Sequence, residues 1–336
     1  MTGDSQPTNR RPIPQMIGRR GRWLLAAVVI ALVVYAATKV DWRAAGAALL
    51  HASLGLVVAA VVVNLLSVTL RGVRWWIFLR RAGDVSLGVA IRGAIVGSGF
   101  NNLLVADAGD LTRAVYVARL AGLSGSSVAA TLALDRIFDP ICFGLLLLLA
   151  TFVIPLPEQL SGAQPIAATL LVVAILSLVL LLARARTAPP PSDSPTVIVG
   201  WRAALRSFRD HVTALATARR FIMALVTSIG VWGLQVMVFA LAARSVGVAA
   251  PLAPSIAAML LTNAGLILRA TPGNVGFFQV AYTLAVARFG VATDTAVAAA
   301  LLVQMIQIIP VTLLAVVLAP RATSGAIEGR KLSRPA

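Results

Sequence analysis

Residues 101–139 read NNLLVADAGDLTRAVYVARLAGLSGSSVAATLALDRIFD. Asp107, Asp110, Arg113, Asp135, Arg136 and Asp139 fall in this stretch, yet long apolar runs lie on both sides of it. An ionisable group at membrane depth is costly, so it faces a cavity, a partner or a substrate. This polar stretch is therefore the first candidate for the working part of the molecule.

The surroundings set the class. Of 336 residues, 59% are hydrophobic and 12% charged, and the mean hydropathy is +0.90. Soluble domains carry roughly 25% charged residues, so the chain reads as a polytopic membrane protein. A formal net charge of +17 would point to nucleic acid in a soluble chain. Here the basic residues flank apolar spans, where orientation and anionic lipid account for them, and no nucleic-acid partner is expected. Cys142 is the sole cysteine and lies in an apolar run, without disulfide or metal-ligand company. His51 and His211 are isolated. There is no nucleophile–base pair, no metal-ligand spacing and no phosphate loop ahead of a lysine. The expectation is a non-enzyme with no catalytic residue, metal or cofactor.

Reading outward, residues 1–22 look like a disordered basic cytoplasmic tail, and residues 23–320 like the transmembrane region. Spans are expected near 23–38, 54–70, 126–154, 166–182, 221–243 and 295–318. The segment 41–52 reads as an interfacial helix. RGVRWWIFLRR at 71–81 reads as a cytoplasmic interface anchor of arginine and tryptophan. A basic loop at 184–220 holds a surface helix, and 321–336 is a second basic tail; both are expected inside. Two apolar regions are interrupted. Residues 85–106 carry Gly93, Gly97, Gly99, Asn101 and Asn102, and residues 255–290 carry TPGNVG at 271–276. Glycine and proline break helices, and non-helical backbone survives at depth only where it lines a protein cavity.

The two interrupted regions resemble each other at a shift of roughly 165 residues. GLSGSSVAATLALDRIFDP lines up with GVATDTAVAAALLVQMIQIIP, so Arg136 pairs with Gln304 and Asp139 with Gln307. The halves run about 54–154 and 221–318. The charge map gives them opposite orientations. The fold expected is an all-α integral membrane protein with about six full transmembrane helices plus two re-entrant or broken helical regions in an inverted repeat, a transporter architecture.

NNLLxxxxGDLTRA, then DRIFD, then TPGNVGFFQ in the second half resemble the flippase-like family that includes the transmembrane region of lysylphosphatidylglycerol synthases. The resemblance covers about residues 20–320 and implies a multi-pass protein of the bacterial plasma (inner) membrane, both termini cytoplasmic. It further implies movement of a polar-headed lipid, a phospholipid or a polyprenyl-linked glycan, between leaflets. Family members commonly carry proline at the place of Val105, a base at that of Asp107, glycine at that of Asn274 and glutamate at that of Gln279. No aminoacyl-transferase domain is expected within residues 1–336, since the spans take up most of that length.

Each motif has two readings. Asp110 and Arg113 are either a local ion pair at a helix start or a phosphate-holding arginine beside its partner. Asp135, Arg136 and Asp139 either tie one span to another or line a groove for a headgroup. Asn101, Asn102, Pro272, Gly273 and Gly276 break helices and thereby offer backbone groups to a ligand. Arg269 is a second phosphate contact or an interfacial anchor. Gln304 and Gln307 repeat the pattern of Arg136 and Asp139 without charge. The partners expected are membrane lipids with anionic headgroups. The rival reading is a non-transporting membrane partner of a glycosyltransferase or lipid synthase.

Overall fold

The computed structural model describes residues 42–103, 108–153, 217–264 and 276–319, with scattered helical positions between 165 and 180. Among the described residues there is no strand. The helices are α1 (Trp42–Leu50), α2 (Leu54–Leu79), α3 (Leu87–Leu103), α4 (Ala108–Ala121), α5 (Gly125–Val153), α6 (Ala218–Ser245), α7 (Leu252–Ala264), α8 (Phe277–Ala287) and α9 (Thr293–Leu318). The expected span at 23–38, both tails and residues 184–216 of the basic loop lie outside the described residues, as does most of the span expected at 166–182; the last loop residues, from Ala218, already belong to α6.

An apolar chain in lipid must bond its own backbone, so helices are the available form. Among the described residues, three are long and apolar enough to cross a membrane: Leu54–Leu79, Arg219–Ser245 and Thr293–Leu318. At 29 residues α5 is also long, about 43 Å, but it carries Asp135, Arg136 and Asp139 in its first half. The helices α7 and α8 have 13 and 11 residues, about 20 and 17 Å, too short for a hydrocarbon core of about 30 Å. In α3–α4 and in α7–α8 the two short helices pack on each other. The order long, short, short, long therefore occurs twice, as α2–α5 and as α6–α9.

The two halves meet along α2 and α6, which run antiparallel. The Ser53 amide donates to the Ser245 carbonyl at 3.0 Å. Further along, Gln235 donates to Ser67 at 2.9 Å and Arg74 to Ser228 at 3.0 Å. At the far end the rings of Phe78 and Phe221 stand 5.8 Å apart. Numbers rise along one helix as they fall along the other. Contacts also cross between halves: α3 packs on α9, and α7 on α5.

The apolar cores follow this layout. Trp75, Val96, Val117 and Val128 pack within the first half, and Phe239, Met259, Tyr282 and Val303 within the second. Phe78, Phe138 and Phe221 join them. Val58, Val62 and Leu66 of α2, Ile222, Val226 and Ile229 of α6, and Leu313, Val316 and Val317 of α9 are exposed. Their three- and four-residue spacing makes continuous apolar stripes suited to lipid.

One expectation is corrected here. The second span does not end at 70 in an interfacial anchor; α2 runs on to Leu79. Arg74 is 2% exposed and Trp75 wholly buried. Only the last arginines behave as an anchor, with Arg80 exposed and stacked 4.7 Å over Trp76. Arg74 goes inside because carboxylates from α5 meet it there.

Glycine permits the closest approach in the first half. A Cβ on Gly109 would lie 2.1 Å from the Gly97 carbonyl oxygen and 2.6 Å from the Asn101 nitrogen, whereas one on Gly55 meets nothing within 4 Å. Gly109→Ala should therefore force α3 and α4 apart at a cost of about 1–3 kcal/mol. Thermal unfolding in detergent should show a lower melting temperature for Gly109→Ala and none for Gly55→Ala; equal behaviour would contradict the hairpin packing.

Candidate functional site

A cavity of about 480 Å³ lies between the halves. Its wall includes nine of the residues singled out from sequence: Asn101, Asn102, Asp110, Arg113, Asp135, Arg136, Asp139, Gln304 and Gln307. They come from α3, α4, α5 and α9. Gly276 precedes α8, with a φ of +88° that favours glycine. Arg269, Pro272 and Gly273 lie outside the described residues, as do Val105 and Asp107.

One pole of the cavity is ionic. Arg74 donates from Nε to Asp135 at 2.7 Å and from Nη1 to Asp139 at 2.8 Å. Arg113 donates to the other oxygen of Asp135 at 2.8 Å. Its guanidinium lies 4.1 Å over the Trp75 ring, and the Trp75 indole donates to the Thr131 hydroxyl at 3.0 Å. Asp135, 1% exposed, is thus gripped by arginines from α2 and α4. Towards the opening, Arg136 bonds Asp110 and reaches Asp139 at 3.4 Å. The local pair considered for Asp110 and Arg113 does not form. Each reaches a residue of α5 instead, because a turn of α5 presents Asp135 and Arg136 side by side to α4. Asp110 also sits in the first turn of α4, where the helix dipole favours an anion.

The other pole is neutral. The Asn64 amide donates to the Ile306 carbonyl at 3.0 Å. That carbonyl lies four residues before Pro310, which has no N–H to offer it. Gln307 donates to Gln235 at 2.9 Å. Gln279 binds the Gly276 amide through its oxygen at 2.7 Å and donates to Gln304 through its nitrogen. Asn101 accepts from the Gly109 amide at 2.8 Å across the break between α3 and α4.

The poles occupy related positions. Asn64 and Ser228 stand equally far from the starts of α2 and α6, and Arg74 and Gln235 match within a turn. Gln235–Gln307 is a neutral contact of the second half, where Arg74–Asp139 is a charged contact of the first. About 15 Å of helix separates Asn64 from Arg74, so the cavity joins an ionic end to a central amide group.

Sequence reasoning passed over Arg71, Arg74, Asn64 and Gln235, which also line this cavity. Arg71 and Arg74 were credited to an interface. The available signal was the lone Asn64 in an apolar run and the same-face spacing of Asn64, Arg71 and Arg74 on one continuous helix.

Taking one partner from a buried ion pair leaves the other uncompensated and costs about 3–5 kcal/mol. Asp135→Ala strands two arginines and should cut folded yield and melting temperature sharply. Gln235→Leu breaks only neutral bonds, each worth about 1 kcal/mol, and should stay folded. Size-exclusion profiles and thermal melts of both variants check this, and a monodisperse, wild-type-like Asp135→Ala would refute it.

No curated protein matches the chain significantly. A family model described as the lysylphosphatidylglycerol synthase TM region matches residues 23–315. With some seven-eighths of its length so matched, the chain belongs to the family of lysylphosphatidylglycerol synthase transmembrane regions.

Proposed function

We propose that this protein moves a polar-headed lipid, a phospholipid or a polyprenyl-linked glycan, between the leaflets of a bacterial plasma membrane. The observation that carries the reading is the cavity: polar side chains from both halves converge inside a helical body whose outer faces are apolar. A lipid headgroup needs such a polar path, and its tails need the apolar flank. Membership in a lipid-related membrane family supports the same reading.

The halves are read as an inverted repeat. Equivalent helices α2 and α6 run antiparallel, which a two-fold axis in the membrane plane produces. The end where α2 finishes and α6 begins carries Arg80, Arg81, Arg219 and Arg220, so the positive-inside rule makes it cytoplasmic. The hairpin α3–α4 then enters from the cytoplasm and α7–α8 from outside. The ionic pole, closer to the arginine end, receives headgroups from the inner leaflet. The lipids favoured are anionic, and the work is binding and passage without covalent chemistry.

Leaflet exchange tests the function. Proteoliposomes holding a fluorescent phospholipid should lose more signal to an impermeant quencher than protein-free vesicles. Arg136→Gln, at the opening of the ionic pole, should slow exchange at least tenfold with folding retained. Exchange no faster than in empty vesicles, for phospholipid and polyprenyl-phosphate probes alike, would sink translocation and leave a non-transporting partner of a lipid synthase or glycosyltransferase.

Topology is checked separately. In a Cys142→Ser background, Ser86→Cys at the start of the first hairpin should label from the cytoplasmic side and Ala249→Cys ahead of the second from outside. Both positions are exposed. Labelling from one side would exclude the inverted arrangement.

A further inference from the structure

The cavity wall holds four arginines, Arg71, Arg74, Arg113 and Arg136, and three aspartates, Asp110, Asp135 and Asp139, among its described residues. Each aspartate is already bonded. Asp135 is held by Arg74 and Arg113, Asp139 by Arg74 and Arg136, and Asp110 by Arg136. Three of the arginines are thereby matched. The Arg71 guanidinium makes no ion pair and no hydrogen bond with any described residue, although Arg71 is half-buried and lies one turn from Arg74 on the cavity side of α2. The count leaves one positive charge over, and it resides on Arg71.

A guanidinium held at depth in a membrane protein calls for an anion. Its planar fork of donors suits two oxygens of one phosphate. A second donor faces the same cavity. The Asn101 oxygen is occupied by the Gly109 amide, so what Asn101 has left to offer as a wall residue is its NH2 donor. A half-buried cation, an amide donor and a net charge of one together describe a receptor for a single negative charge.

We propose that Arg71 is the anion-binding residue of the cavity and that its ligand is a phosphodiester of one negative charge. This rests on the lipid reading only for the source of the phosphate. It narrows that reading, because a diphosphate-linked lipid brings at least one further charge, and no other described arginine of the cavity wall is left unpaired to meet it. Arg74 and Arg113, buried on Asp135, hold the fold, and Arg71 selects the ligand.

The test is titration calorimetry of the full chain in detergent with dihexanoyl phosphatidylglycerol, inorganic phosphate, farnesyl diphosphate and neutral dihexanoylglycerol. Phosphatidylglycerol should bind best. Arg71→Gln should weaken it at least tenfold, and Arg71→Lys should recover part of the loss, since an ammonium keeps the charge without the fork. The melting temperature of Arg71→Gln should match wild type, because no aspartate is orphaned, whereas that of Arg74→Gln should fall. Unchanged binding by Arg71→Gln, or neutral dihexanoylglycerol binding as well as phosphatidylglycerol, overturns the proposal. Farnesyl diphosphate binding as tightly overturns the single-charge assignment. Inorganic phosphate binding as tightly keeps Arg71 as an anion ligand and overturns the lipid source. Arg71-dependent lipid binding without leaflet exchange supports the proposal while removing translocation, so the two failures are distinguishable.

Discussion

Asp135 sits at 1% exposure between two arginines, and the first half of the molecule is arranged around that requirement. A carboxylate at this depth is tolerable only with its charge matched and its oxygens bonded. One arginine comes from α2, the other from α4, and the carboxylate from α5. These three helices must therefore close together before any of the three charges is at ease. The Trp75 ring beneath Arg113 and its bond to Thr131 fix the same corner sterically. Arg74 carries the constraint into the second half through Ser228 on α6. Hydrophobic matching between helices is weak inside lipid, so charge pairing supplies the register that apolar packing alone would leave loose.

The second half lines the cavity without charge among its described residues. Gln307 bonds Gln235 between α9 and α6, and Gln279 with Gln304 bridges α8 to α9. Neutral amides tolerate rearrangement far better than buried charges, because an opened amide bond costs about one hydrogen bond and an opened ion pair strands a charge. The cavity thus has one firmly set wall and one adaptable wall. Such asymmetry places the fixed contacts at the ionic end. The adjustable contacts then lie at mid-depth.

Helix interruption serves this arrangement. Pro310 frees the Ile306 carbonyl, and Asn64 of the opposite half bonds it. The break between α3 and α4 leaves the Gly109 amide for Asn101. In each case a backbone group released at depth is met by a side-chain amide, which is why the polar residues of the apolar segments cluster at the breaks rather than at random.

Much was legible from sequence alone. Hydropathy announced a membrane protein, glycine and proline marked the interrupted regions, and the motif order pointed to the family now shown by the match over residues 23–315. Asn101 through Asp139 stood out because charge inside an apolar text is conspicuous without any knowledge of neighbours. These are local properties, written in composition and spacing. Arg74 and Arg71 were misplaced for the complementary reason: an arginine beside tryptophans has the same local signature whether it ends a span at the interface or continues into the interior. Only the tertiary structure decided between them, since the answer depends on Asp135 and Asp139, some sixty residues away, arriving on the same face. It likewise separated Asp110 from Arg113, adjacent on one helix yet each bound to α5. Periodicity tells which face of a helix is polar; which charge meets which is a matter of long-range register, and that exists only once the helices have packed.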